Sequence, residues 1–262
     1  MYFDKERLTE LAAFSEELIS EYEISRFDLK KEVDTEKPYT MVWTDTLYEP
    51  MHSDFFEEID RQNPRKIFKS KPRNLAYRSG FAFDNEVPVY GIIYDSDGKP
   101  LHESFYIRKG NDLTGVICSV KTGKLFRITY DQGRFSDLPQ RFIRIDLNSK
   151  DAPSVDCRVY TSQDGHILSA EVIDQLYIRQ DIVLYNDERY ENWSERDISS
   201  MLTAPPMNPY AYSTYSFIYG SRYAESYVRT DHSHCMDIEN EWKLPKKRIR
   251  EYENYGIKAF IK

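Results

Sequence analysis

Val89-Tyr-Gly-Ile-Ile-Tyr94, followed by Asp95-Ser-Asp97-Gly98 and then by Leu101 to Arg108, decides how this chain is read. The first run is β-branched and aromatic apart from Gly91, a composition that suits a pleated surface packed against neighbours. Tyr90, Ile92 and Tyr94 fall on one face at a period of two, with Val89 and Ile93 on the other, which predicts a strand covered on both sides. Pro88 fits at the start of that strand, where the ladder needs no donor. Asp97-Gly98 tolerates the positive φ of a tight hairpin, so the chain is expected to reverse there and continue as a second strand from Leu101.

The pattern returns further on. Tyr94-Asp-Ser-Asp-Gly98 with Leu101 is echoed by Tyr160-Thr-Ser-Gln-Asp-Gly165 with Leu168, and more weakly by Tyr130-Asp-Gln-Gly133 with Phe135 and by Tyr185-Asn-Asp187. Between the copies lie Val116 to Val120, a Thr122-Gly123 turn and Leu125 to Tyr130. Ile143, Ile145 and Leu147 alternate against Arg144 and Asp146, and Val155, Cys157 and Val159 alternate in the same way. Residues 79–190 therefore predict an antiparallel β-meander of repeated hairpins. The expected class is α+β, with an N-terminal amphipathic helix packed on the meander.

Three regions follow. Residues 1–78 read as an acidic helical region ending in a basic connector. Leu8, Leu11, Ala12, Leu18, Ile19 and Tyr22 recur at three- and four-residue steps, which predicts a helix over residues 4–22. Glu6, Glu10, Glu17 and Glu21 fall on its opposite side, either as a solvated face or as a docking stripe for a basic partner. A second short helix is expected near residues 51–60, around Phe55, Phe56 and Ile59. Residues 1–60 carry 17 acids and 6 bases, whereas Arg61, Arg65, Lys66, Lys69, Lys71, Arg73 and Arg78 follow with no acid among them.

Residues 191–262 form the third, Tyr-rich region, expected to pack on the sheet. After the rigid break at Ala204-Pro-Pro-Met-Asn-Pro209 come Tyr212, Tyr215, Tyr219, Tyr223 and Tyr227. On a helix these make one stripe, either core-facing or an exposed contact patch. Ser213, Thr214 and Gly220 weaken the helix, so two strands are the other form available.

Composition and motifs exclude more than they assign. A net charge of −8 and a pI near 5.3 have the wrong sign for a general nucleic-acid binder. No apolar run is long enough to cross a bilayer, and residues 1–7 hold no signal-peptide pattern. Cys118, Cys157 and Cys235, odd in number and widely spaced, read as reduced thiols, so cytoplasmic residence is expected. Asp95-Ser-Asp97-Gly98 fails as a calcium loop at Lys99. Thr122-Gly123-Lys124 fails as a phosphate loop, because Cys118 stands where the first glycine is needed and Leu125 where Ser or Thr is needed. His232, His234, Cys235 and Asp237 form the one cluster suggestive of a metal or thiol enzyme. No second ligand pair accompanies it, so no cofactor, metal or catalytic residue is expected.

The repeated Tyr, two or three residues, then Asp-Gly-x-x-Leu at Tyr94 and Tyr160 resembles the MORN-type and YD-type repeats of bacterial proteins over at most about 110 residues. In overall character the chain is similar to immunity proteins of polymorphic or contact-delivered toxin systems. That resemblance implies a protein-binding role: an acidic and aromatic surface covering the basic active cleft of a cognate toxin. Glu6, Glu10, Glu17 and Glu21 with Tyr215, Tyr219 and Tyr223 are the expected contact residues. An enzyme at the His232 cluster, or a structural or adaptor subunit using open sheet edges, are the alternatives.

Overall fold

Amphipathic spacing at the N-terminus and period-two runs after it produce a mostly antiparallel β-protein with an N-terminal helix. The computed structural model describes residues 5–33, 37–45, 67–68, 70–85, 87–136, 140–147, 152–164, 166–179, 210–219, 224–232 and 237–243. The chain divides into two compact units, residues 21–142 with 251–262, and residues 1–20 with 143–250. The boundary falls inside the first helix and inside one strand. The helix expected at residues 51–60, the tyrosine turn at 185–187 and most of the basic connector lie outside the described residues.

The unit built on residues 21–142 holds α2 (Arg26–Lys31) and strands β1 (Thr40–Asp45), β2 (Ile67–Phe68), β3 (Arg78–Asp84), β4 (Val87–Tyr94), β5 (Pro100–Lys109), β6 (Asp112–Ser119) and β7 (Leu125–Gln132). From β7 back to β3 each strand pairs with its neighbour in sequence, and β1 then lies between β3 and β2. β4 and β5 join at the predicted turn. Asp95 Oδ1 accepts the backbone N–H groups of Asp97 and Lys99 at 2.9 and 2.8 Å, and Gly98 takes φ +75°. The Asp95 carboxylate is thus consumed by turn chemistry.

Two glycines in this sheet make room for rings. Gly80 pairs with Trp43, and Gly91 with Phe81. A Cβ on Gly91 would lie 2.4 Å from the Phe81 ring, and one on Gly80 2.8 Å from Trp43. Phe81 and Trp43 are both buried, and each ring occupies the space that a side chain on its paired glycine would need. Phe105, Val116 and Ile128 share one face, and Phe81, Leu113 and Ile117 the other, and all six are buried. The strand covered on both sides is the rule here.

The unit built on residues 1–20 and 143–250 holds most of α1 (Lys5–Tyr22) and strands β8 (Arg141–Asp146), β9 (Ser154–Gln163), β10 (His166–Tyr177), β11 (Ala211–Tyr219), β12 (Ala224–His232) and β13 (Asp237–Lys243). Its strands follow sequence order and end on β13. Leu8, Leu11, Leu18 and Ile19 sink the expected stripe of α1, each gaining about 2 kcal/mol by leaving water. Arg7 reaches Glu171 of β10 at 2.8 Å, and Arg179 grips Glu16 through two hydrogen bonds of 2.9 and 3.1 Å. The helix therefore lies on the sheet face that carries Glu171, Ile173 and Tyr212.

The tyrosine-rich segment takes the second of its two available forms. It is the strand pair β11 and β12, in register from Tyr212 with His232 to Ile218 with Ser226. Three- and four-residue spacing mimics a helix, but Tyr-Ser-Thr-Tyr-Ser-Phe-Ile-Tyr is rich in residues that favour the pleated strand. Among the described residues no helix is long and apolar enough to cross a membrane.

Candidate functional site

β13 is the least protected element of its sheet, and its sequence is Asp-Ile-Glu-Asn-Glu-Trp-Lys. All seven residues are exposed. Its register with β12 pairs Asp237 with His232, Glu239 with Thr230 and Glu241 with Val228, so the three carboxylates share one face. Ile238 and Trp242 stand on the other, opposite Asp231 and Tyr227, with about half of each side chain in water (49% and 53% exposed). Following the rungs inward, Glu239 aligns with Thr230, Thr214 and Glu171. Glu171 is the partner of Arg7, so the acidic face of β13 is also the face on which α1 sits.

α1 adds further acid there. Glu6, Glu10 and Glu17 are exposed, as their spacing predicts. Glu21 is exposed too, but it is engaged by Lys109 within the other unit, and that hydrogen bond holds its carboxyl below the ordinary range. Of the tyrosines expected beside them, Tyr215 is buried at 4% exposure, its ring 5.8 Å from that of Tyr227. Tyr219 donates its hydroxyl to the Ile167 carbonyl at 2.8 Å. Tyr223 lies outside the described residues. On the strand pair the tyrosines form no single stripe, since Tyr212 and Tyr215 face opposite sides of the sheet, both buried, while Trp242 on β13 is an exposed aromatic. The alternation of Asp237, Glu239 and Glu241 with Ile238 and Trp242 was readable as a period of two, but two apolar residues in seven give it little weight.

No family model, no curated protein and no solved structure matches this chain.

His232 stands at the junction of three strands. Its Nε2 lies 2.9 Å from Thr214 Oγ1 on β11, and its Nδ1 lies 3.0 Å from Asp237 Oδ1 on β13. Tyr212 stacks on the imidazole with ring centroids 4.8 Å apart. Burial and the nearby Glu171 push the Tyr212 hydroxyl up to about 12, with Arg7 acting in the opposite direction. A carboxylate, an imidazole and a hydroxyl in line suggest a proton relay to a nucleophile. Thr214, however, pairs on both sides, with Glu171 of β10 and Thr230 of β12. Backbone N–H groups in such an inner strand are spent on the ladder and cannot form an oxyanion hole beside its hydroxyl. The three residues act as a cross-strand lock that fixes the start of β13. His234 and Cys235 lie outside the described residues, and among the described residues no group of three or more His, Cys, Asp or Glu is placed to hold a metal ion.

A strongly perturbed carboxylate is Glu103 on β5. Lys30 donates to its Oε1 at 2.8 Å, Tyr90 donates to the same oxygen, and Arg26 donates to Oε2. Burial raises its pKa, but the three hydrogen bonds outweigh burial and hold the carboxyl at about 2. Arg26 and Lys30 come from α2, whose start is capped by Ser25 Oγ accepting from Phe27 N–H. Arg26 also donates to the Val120 carbonyl at 3.3 Å, and all these partners lie in one unit, so the cluster clamps α2 to β5. Cys118, on the adjoining strand opposite Glu103, is pushed up to about 11 by burial and is a packing thiol.

Proposed function

We propose that this chain is a protein-binding protein whose acidic surface captures a basic partner, and that the partner is a cognate toxin domain whose active cleft the surface covers. The observation that carries this reading is the exposed Glu6, Glu10 and Glu17 on a helix pinned to its sheet by Arg7–Glu171 and Glu16–Arg179. Pinning matters because a carboxylate on a fixed helix keeps its position as a cation approaches, so the field is preorganised. A net charge of −8, of which residues 1–60 contribute more than the whole, has the sign required to meet a basic cleft. The copies at Tyr94 and Tyr160, a Tyr followed by two or three residues and then Asp-Gly, add the resemblance to MORN-type and YD-type repeats of bacterial proteins, and an immunity role would place the chain in the bacterial cytoplasm.

Co-expression tests it. A cognate toxin domain should stop growth when expressed alone, and growth should return when the full chain is present. The triple variant Glu6→Lys, Glu10→Lys, Glu17→Lys should lose most of that rescue while remaining folded, since all three positions are exposed. Unchanged rescue by the triple variant would remove α1 from the contact surface.

A further inference from the structure

We infer that β13 is the docking strand for an extended segment of the basic partner, which joins the sheet edge as one more antiparallel strand. The segment carries Lys or Arg at alternate positions facing Asp237, Glu239 and Glu241, with apolar residues between them covering Ile238 and Trp242. This rests on the reading of the chain as a binder of a basic partner and specifies how that partner is held.

Three observations converge on the edge. β13 is in register with β12 over seven residue pairs, and among the described residues no strand pairs with its other side. An edge of that length presents a row of N–H and C=O groups able to hydrogen-bond an added strand. Its faces differ in chemistry, with three carboxylates and the terminal Lys243 on one, and Ile238 and Trp242 flanking Asn240 on the other. On the apolar face an aromatic row also runs outward from Phe217 to Tyr227 and stops at Trp242. Phe217 and Tyr227 are 7% and 4% exposed, whereas Trp242 is 53% exposed. An apolar side chain on an added strand would continue that row and close it.

Charge selects the occupant. In a pair of β13 strands from two copies, an antiparallel register centred on Asn240 sets each Glu239 opposite the Glu241 of the other copy. Like charges directly opposite in a ladder destabilise it, so the centre of the edge disfavours a second copy, although the same register sets Asp237 opposite Lys243 at each end. A strand with Lys or Arg at those places meets three carboxylates on the face that also carries α1. Steering by Glu6, Glu10 and Glu17 and capture by β13 then act on the same side of the sheet.

The full chain should be titrated with three synthetic peptides: one alternating lysine and valine, one of the same composition with lysines and valines in separate blocks, and the alternating peptide N-methylated at every second residue. Amide hydrogen exchange and tryptophan fluorescence report where and how tightly each binds. The alternating peptide should bind and slow exchange within residues 237–243. The block and N-methylated peptides should bind about tenfold more weakly or worse. The double variant Glu239→Lys, Glu241→Lys should weaken the alternating peptide by a similar factor. Equal binding of all three peptides, protection confined to other segments, or self-association of the free protein through residues 237–243 would each overturn strand addition. Loss of binding on reversing the α1 glutamates, with none on reversing Glu239 and Glu241, would overturn strand addition and leave the basic-partner reading standing. Absence of binding by any cationic peptide would count against both.

Discussion

Glu103 is the hub of an ion-pair cluster that joins α2 to β5. It is a buried carboxylate kept ionised by Arg26, Lys30 and Tyr90. Its pKa in the folded protein, about 2, lies below the ordinary 4.5, so its contribution to stability is complete above about pH 4.5 and is lost as the pH falls towards 2. Glu103→Gln should lower stability by roughly 3 kcal/mol at neutral pH, because it leaves Arg26 without its countercharge. Denaturant midpoints measured across that acid range should fall for the wild type and fall less steeply for the variant. Parallel pH curves would show that the clamp is not electrostatic. His232 acts on a smaller scale. Thr214→Val should cost about 1 kcal/mol through one lost cross-strand hydrogen bond, with faster amide exchange at the start of β13 as its mark.

At the scale of elements, the pairing of rings with glycines makes a sharp prediction. Gly91→Ala places a methyl group inside the space of the Phe81 ring, and the fully buried ring has nowhere to retreat. A loss of about 2 kcal/mol is expected from such overpacking, read as a lowered unfolding midpoint with an unchanged denaturant slope. Legibility in the sequence follows how strongly burial dictates the pattern. α1 is readable because a water-facing side and a sunken side alternate cleanly along it, from Leu8 to Tyr22. The hairpin of β4 and β5 is readable because positive φ at Gly98 demands a turn residue. α2 is six residues long, too short for periodicity to show, and it is held by a distant Glu103 that its own sequence does not announce. β1 carries Trp43 over a glycine thirty-seven positions away, a match visible only once the strands are paired. The tyrosine segment misleads because Tyr212, Tyr215 and Tyr219 have helical spacing, while β-propensity and pairing with β10 decide the outcome. β13 is hard to find because an edge strand open on both faces is under no demand to hide apolar residues. The acidic stripe of the candidate surface was therefore open to reading, and its aromatic component was not.

For the molecule as a whole, charge asymmetry is the property that function would draw on. Residues 1–60 hold a large acidic excess and the rest of the chain is close to neutral, and α1 presents part of that excess on its exposed side. Long-range attraction of this kind acts mainly on the rate of association and is screened by salt, whereas buried contacts such as those expected at Trp242 act on dissociation. Trp242→Ala should accordingly speed release of the partner several-fold and leave association nearly unchanged, measured by surface-immobilised kinetics. The most direct test of the central claim is the association rate of the full chain with the proposed basic partner, followed in rapid mixing as ionic strength is raised. The acidic surface predicts a rate that falls steeply with salt, and a rate at least about tenfold lower with a flatter salt dependence when Glu6, Glu10 and Glu17 are changed to Lys. Equal rates for the two proteins, indifferent to salt, would contradict it.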